Sequence, residues 1–442
     1  MEPQNMKKAT VLLMSTILIA ICISITVAAP AKTYPANGKL KIFILSGQSN
    51  MVGFGQLAGS PGTMETYLKS NPKDYGHLVD NNGKHVIRND VWIVNLSYEE
   101  QKGWLTTGYG ASASHIGPEY AFGFIMGDYF EDPVLLIKSA WGGRSLHRNF
   151  LSPSSADYPT PKADGDTGFQ YAGILRHVKI ITSNVKKYYP SYSGKGYEII
   201  GFGWHQGWND RINQDAVNVY EKNMERFIKD IRKDLGIEKL PFIIANTGMG
   251  GWTIPITARY KKKVEKLMAV QLALANTDKY PEFKGNVGGV ETRDFQRTRE
   301  ESPSRQDYHW YRNWETLYLI GKGMGDSMVD LLSHNLSTWE QTMNTAILKA
   351  KALDYNYIID HLLAQDLVDT MTNKYGTEHW KEVFQKKHLR YLLYYFGWLK
   401  DCKVEISGDK VFLIGQHGCY TIFINVNGRY LLFDFGQRIT SM

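Results

Sequence analysis

Cysteine is scarce in this chain, with three in 442 residues. Cys22 falls in an apolar N-terminal run, which leaves Cys402 and Cys419 beyond it. A disulfide-stapled scaffold is therefore excluded. The one remaining pairing meets a geometric obstacle. Residues 402–407, 410–415 and 419–426 read as consecutive strands of a meander, so the two cysteines stand on strands separated by a third. Strands lie ~4.7–4.9 Å apart, which puts the two Cα atoms ~9–10 Å apart. A disulfide needs less than ~7 Å, so free thiols are expected.

Other signals are missing too. His77, His85, His115, His147 and His177 are scattered, with no H-x-H, H-E-x-x-H or Cys partners, so no metal site is expected. The Gly-rich segment Gly248-Met249-Gly250-Gly251 lacks the Lys-Ser/Thr of a phosphate loop. No cofactor is implied. The formal net charge is only +7 and there is no long basic run, so nucleic acid is not an expected partner. Nothing repeats internally, and oligomeric state is not legible.

The chain does have apolar substance. Hydrophobic residues make up 43% and aromatics 13%, enough for a sizeable core and more than one domain. Lys7 and Lys8 precede an uncharged run from Ala9 to Ala29, and Ala29-Pro30-Ala31 resembles a signal-peptidase site. Residues 1–31 read as a signal peptide. Residues 9–29 also have the ~20-residue length of a membrane anchor. Either reading puts residues 32–442 outside the cytoplasm, secreted, periplasmic or extracellular. Contact with a membrane is expected only if that segment stays uncleaved. Asn95-Leu96-Ser97 and Asn335-Leu336-Ser337 are glycosylation sequons, relevant only in a eukaryotic secretory pathway.

From residue 39 to 334, β-branched apolar runs alternate with helical stretches. Strands are expected at 39–46, 91–96, 133–138, 198–204 and 241–246, with a weaker one at 286–291. Helices are expected at 117–130, 171–189, 213–235, 257–277 and 314–334. Within 213–235, Val217, Tyr220, Met224, Phe227 and Ile231 recur at three-to-four spacing, one buried stripe. Such alternation predicts an α/β domain with a parallel sheet covered on both faces. Residues 53–90 and 141–170 read as long polar loops, either walls of a cleft or plain insertions. Past residue 335 the pattern becomes helical and then a β-meander with tight turns at Ser407-Gly408-Asp409 and Asn427-Gly428. Residues 32–335 and 336–442 are thus expected to form a main domain and a small α+β module.

The segment that carries most chemistry is Ser46-Gly47-Gln48-Ser49-Asn50-Met51, directly after the run Lys39–Leu45. A strand that ends in a Gly-bracketed serine presents the hydroxyl at the carboxyl edge of a sheet, where open α/β sheets do their chemistry. Ser49 needs a base within hydrogen-bond reach to become a nucleophile. Without one it is an ordinary helix N-cap. Trp204-His205-Gln206-Gly207 and Asp307-Tyr308-His309 offer partners.

Gly47-Gln48-Ser49-Asn50-Met51 resembles the first block of the SGNH hydrolases, in the branch of carbohydrate acetylesterases and sialate O-acetylesterases. Gly117-Pro118-Glu119-Tyr120-Ala121-Phe122 is similar to that branch's segment before its first long helix. Lys138-Ser139-Ala140-Trp141-Gly142-Gly143-Arg144-Ser145-Leu146 resembles its Gly-Gly loop after a central strand. Trp204-His205-Gln206-Gly207-Trp208-Asn209-Asp210 resembles its W-x-Q-G-E-x-D block. The likeness spans about residues 39–334.

It implies a flavodoxin-like three-layer fold and a secreted serine esterase acting on O-acetylated carbohydrate through an acetyl-serine. It implies Ser49 as nucleophile and His309 as general base. An oxyanion hole would come from the N–H groups of Ser49 and Gly142 or Gly143 and from the Gln206 amide. Gln48, Asn50, Trp141, Arg144, Trp208, Asn209 and Asp210 would meet substrate. Trp104, Tyr109, Trp310 and Trp314 would add aromatic walls to the cleft.

Two departures stand out. The D-x-x-H spacing of the family places Gln306 where its acid belongs. Asp307 is the candidate instead, with Asp294 or a backbone carbonyl as alternatives. Trp208 replaces the family's glutamate. These changes leave room for a non-catalytic glycan-binding protein, and an esterase for non-carbohydrate esters is the other rival.

Overall fold

The computed structural model describes residues 38–155, 165–192, 196–252, 258–276, 278–306 and 308–333, and, beyond these, 342–343, 345–346, 358–359, 361–377, 379–383, 403–415, 419–426 and 429–437. The N-terminal run 9–29, Asp307, Asn335, Cys402 and the Asn427-Gly428 turn lie outside them. Among the described residues no helix is long and apolar enough to cross a membrane.

The strands are β1 (Leu40–Gly47), β2 (Gly55–Gln56), β3 (Arg88–Asn95), β4 (Gln101–Leu105), β5 (His115–Ile116), β6 (Val134–Ala140), β7 (Tyr197–His205), β8 (Phe242–Ala245) and β9 (Val287–Val290). The helices are α1 (Ser49–Val52), α2 (Met64–Ser70), α3 (Pro72–Tyr75), α4 (Glu119–Tyr129), α5 (Phe169–Ser183), α6 (Val185–Tyr188), α7 (Gln214–Leu235), α8 (Ala258–Ala273) and α9 (Trp314–Ser333). Seven strands form one sheet in the order β4-β3-β6-β1-β7-β8-β9. All neighbours are parallel except β4, which pairs antiparallel with β3 at the edge. The expected parallel sheet is present, with an antiparallel edge strand added. Residues 101–105 (Gln-Lys-Gly-Trp-Leu) carry a cation and a glycine, and read as loop until β3 offers them a ladder.

Strand β1 shows why the sheet is buried on both sides. Leu40, Ile42 and Ile44 belong to one core with residues of α5 and α7. Phe43 and Leu45 belong to the opposite core with residues of α4 and α9. Successive side chains alternate between faces, so a near-continuous apolar run suits a central strand. The result is the three-layer α/β architecture. The chain leaves β1 for β3 and β6 on one side, then moves to β7, β8 and β9 on the other. Ser49 follows the strand where direction reverses, the switch point at which such sheets bind ligands.

Helix α7 is capped by the Asn213 side chain, which accepts from Asp215 and Ala216 N–H, and it ends at Gly236 with φ 69°. The expected single helix over 171–189 is broken at Asn184, whose side chain caps α6 instead. The stretch 53–90, expected as loop, holds α2 and α3.

The described C-terminal residues include helix Gln365–Tyr375 and the antiparallel sheet β10 (Lys403–Ser407), β11 (Lys410–Ile414), β12 (Cys419–Val426) and β13 (Arg429–Gln437). They share a core of their own that includes Ile358, Leu362, Val411, Leu413, Phe423 and Leu432. Gly408, at φ 61°, makes the β10–β11 turn. Cys419 is a buried free thiol.

Candidate active site

The site is built where β6, β1 and β7 end side by side. Gly47 O accepts from Trp141 N–H at 3.1 Å and Gln48 N–H donates to His205 O at 3.3 Å, knitting three strand ends together. Gly47 is required here. A Cβ on it would lie 2.1 Å from the His205 carbonyl oxygen. The chain then turns sharply into the one-turn helix α1, which begins at Ser49. Ser49 is 8% exposed. Gly142 stands beside it: a point one bond out from Gly142 Cα lies 3.9 Å from Ser49 Cβ and 3.5 Å from Tyr98 Oη. The Gly142 N–H donates to that Tyr98 hydroxyl at 2.7 Å. Gly143, at φ 64°, faces open space.

Beneath Ser49 the polar residues of the sequence blocks bond to one another. Gln48 Oε1 accepts from Gly207 N–H at 3.1 Å, Asn209 N–H at 3.0 Å and Gln206 Nε2 at 3.3 Å. Gln206 Nε2 also reaches Arg144 O at 3.0 Å and Asp210 Oδ2 at 2.5 Å, while its Oε1 accepts from Tyr220 at 3.0 Å. The Asp210 carboxylate accepts from Leu146 N–H and His147 N–H, each at 3.0 Å. Burial pushes the Asp210 pKa up, and these donors pull it back. Gln48, Gln206 and Asp210 are each 1% exposed. Expected as substrate or oxyanion contacts, they bond to protein here: Asp210 and Gln206 hold the Gly142–His147 loop, and Gln48 holds the Gly207–Asn209 turn.

Lys138 and Glu119 form a second clamp. Both side chains are 1% exposed and their ion pair measures 2.8 Å. Lys138 Nζ also donates to Val52 O, at the end of α1, and to Tyr109 O, each at 2.7 Å. Glu119 Oε1 accepts from Gly117 N–H at 2.8 Å. Desolvation favours the neutral form of each group, and the pairing opposes it.

The other side of the site is a turn at His309–Arg312. All four residues are left-handed, with φ of 58°, 54°, 53° and 61°. None is glycine, so each costs roughly 1–2 kcal/mol of backbone strain. Helix α1 packs against this turn. The Phe54 ring, two residues past α1, stacks on the His309 imidazole at 3.8 Å and 3°. Among the described residues His309 Nδ1 has no hydrogen-bond partner although buried, and neither have Arg312 Nε and Trp310 Nε1. Burial first, then the charges of Arg312 and His115, lower the His309 pKa to about 4. The imidazole is therefore neutral at pH 7 and open to a proton. Asp307 lies outside the described residues. Asp294, the alternative acid, accepts from Trp252 Nε1 at 2.7 Å.

The remaining expected contacts divide. Asn50 is buried, donates to Met249 Sδ at 3.3 Å, and has an unpartnered Oδ1. Arg144 sits partly exposed, 3.6 Å from Asp166. The Trp208 ring is covered by the Arg211 guanidinium at 3.3 Å. Trp141, Trp310 and Trp314 are buried, and Trp141 Nε1 donates to Ser97 O at 2.9 Å. Asn95, the first sequon, is buried and bonded to Gln101 and Ser97. Among the described residues no group of three His, Cys, Asp or Glu side chains is arranged to hold a metal. Sequence reading missed Tyr98, Phe54, Arg312 and Trp252. Phe54, close behind the Ser49 block, was the one with a signal.

A family model described as carbohydrate esterase, sialic acid-specific acetylesterase, matches residues 39–292. No curated protein matches the chain. Among solved structures, an Arabidopsis thaliana protein is 18% identical with a TM-score of 0.41, over 67% of this chain and 98% of its own. A carbohydrate acetylesterase from Xanthomonas citri is 14% identical with a TM-score of 0.36, over 64% of this chain and 56% of its own.

Proposed function

The chain belongs to the carbohydrate esterases of the sialic acid-specific acetylesterase family, and from that premise we propose that it removes O-acetyl groups from carbohydrate hydroxyls with Ser49 as nucleophile. Ser49 Oγ attacks the acetyl carbonyl carbon while His309 takes its proton. The tetrahedral oxygen is received by the N–H groups of Ser49 and of Gly142 or Gly143. Collapse breaks the bond to the sugar oxygen, which leaves as the hydroxyl by taking the proton back from His309. Water, activated by the same imidazole, then hydrolyses the acetyl-serine. Asp307 is proposed as the group that orients His309 through the vacant Nδ1.

The observation that carries this reading is the packing of α1 on the His309 turn, with Phe54 against the imidazole and Gly142 beside Ser49. The lowered His309 pKa keeps the imidazole unprotonated at neutral pH, as a base must be, but makes it less basic than a free imidazole. The N-terminal apolar run supports export, with residues 32–335 carrying the reaction. N-terminal sequencing of the mature protein tests cleavage near residue 31.

Aryl-acetate hydrolysis by wild type and Ser49→Ala tests the chemistry. Ser49→Ala is expected to lose roughly 10⁴- to 10⁶-fold in kcat. Equal background rates from both would favour a glycan-binding role instead. A panel of acetylated sugars then separates carbohydrate from other esters.

A further inference from the structure

An exposed tryptophan alone means little. Trp252 is different because it is exposed and held. It is 62% exposed, while Trp204, Trp310 and Trp314 are fully buried. Its indole N–H donates to Asp294 Oδ1 at 2.7 Å. The Arg293 guanidinium lies 3.7 Å over the ring centroid, covering one face. Arg293 is itself fixed by Glu291, through contacts of 2.8 and 2.5 Å. Glu291 in turn accepts from Asn246 Nδ2, just past β8, at 2.9 Å. A chain of polar contacts thus anchors the indole to the sheet edge and leaves its other face to solvent.

We propose that this free face is a stacking platform for a neighbouring sugar ring of an oligosaccharide ester, a proposal that rests on the esterase reading above. The π face is electron-rich, and the C–H-lined face of a pyranose is apolar with slight positive charge. Fixing the ring beforehand spares the ordering cost of about 0.5–1.5 kcal/mol that a mobile side chain would incur on binding. Location fits a ring beyond the acetylated one. The loop that carries Trp252 also carries Met249, whose sulfur accepts from Asn50 next to Ser49. The partners that hold the indole, Arg293 and Asp294, follow β9, which is three places from β1 in the sheet, about 14 Å at ordinary strand spacing.

The test compares wild type, Trp252→Ala and Trp252→Phe. Substrates are the fragment that turns over fastest among acetylated xylan, pectin and chitin oligosaccharides, its acetylated monosaccharide, and an aryl acetate. Trp252→Ala is expected to raise KM for the oligosaccharide about tenfold or more. The rise should be clearly smaller for the two short esters, and Trp252→Phe should recover most of the loss. Equal changes across all three substrates would overturn the platform, as would an unchanged oligosaccharide KM. Titration of Ser49→Ala and of Ser49→Ala/Trp252→Ala with each of the three acetylated oligosaccharides reads binding without hydrolysis. If wild type cleaves nothing, the esterase reading fails, yet this titration still decides the subsite: a roughly tenfold weaker Kd supports it and equal affinities reject it.

Discussion

The two sides of the site are built in opposite ways. On the Ser49 side Gln48 Oε1, the Gln206 amide and the Asp210 carboxylate are bonded to one another and to loop backbone, and Lys138 and Glu119 are paired and fully bonded although buried, while Asn50 Oδ1 has no partner among the described residues. On the His309 side the backbone is left-handed over four residues and three ring or guanidinium nitrogens have no partner among the described residues. A nucleophile and its oxyanion donors need fixed positions, which a saturated network supplies. A base needs an available nitrogen, and strain and vacancy tend to collect at such places. Bonded polar networks fix the strand ends around Ser49, and backbone strain is concentrated in the turn that carries His309.

The largest break in this comparison is expected at the buried ion pair. Lys138→Met strands the Glu119 carboxylate and should cost about 3–5 kcal/mol of unfolding free energy, read by urea denaturation. Lys138→Met with Glu119→Leu should recover most of it, because apolar replacement of a whole buried pair is often close to neutral. No recovery would mean that the bonds to Val52 O and Tyr109 O matter more than charge balance.

Next comes Asp210→Asn, which sets an amide donor against the Leu146 and His147 N–H groups. The Gly142 loop should shift, lowering kcat on aryl acetate by roughly 10²-fold while the far-ultraviolet circular dichroism stays native. An unaffected kcat would show that the loop does not need the carboxylate.

The smallest effect is expected at Tyr98. Its hydroxyl already occupies the Gly142 N–H, so an acyl oxygen must displace it. Giving up one neutral hydrogen bond costs about 0.5–1.5 kcal/mol. Tyr98→Phe should therefore raise kcat/KM by a few-fold. A loss would instead mean that the Tyr98 hydroxyl itself donates to the acyl oxygen.

The same contrast explains what the sequence made legible. The six expected strands and five long helical regions are present because apolar periodicity and sheet burial agree. The Ser49, Gly142 and Gln206 blocks were readable through their joint, ordered resemblance to the acetylesterase branch, since each alone reads as an N-cap, a strand-end turn or a locally bonded amide. Their roles were harder: Gln48 and Asp210 look like ligands in a motif, and only burial shows them bonded to loops. The His309 turn was not readable. His-Trp-Tyr-Arg contains no glycine, so nothing local announces four positive φ values. Burial of the aromatics was not readable either. Trp141, Trp310 and Trp314 sit near motif residues and are buried, while Trp252, in a glycine-rich stretch without a motif, is the exposed one.

Labelling of Ser49 by a fluorophosphonate, followed against pH in wild type and His309→Ala, tests the Ser49–His309 partnership most directly. Lowering the imidazole pKa keeps it unprotonated, so wild-type labelling should hold steady down through pH 6 and fall with a midpoint near 4. His309→Ala should abolish it at every pH. Undiminished labelling in His309→Ala would contradict the account.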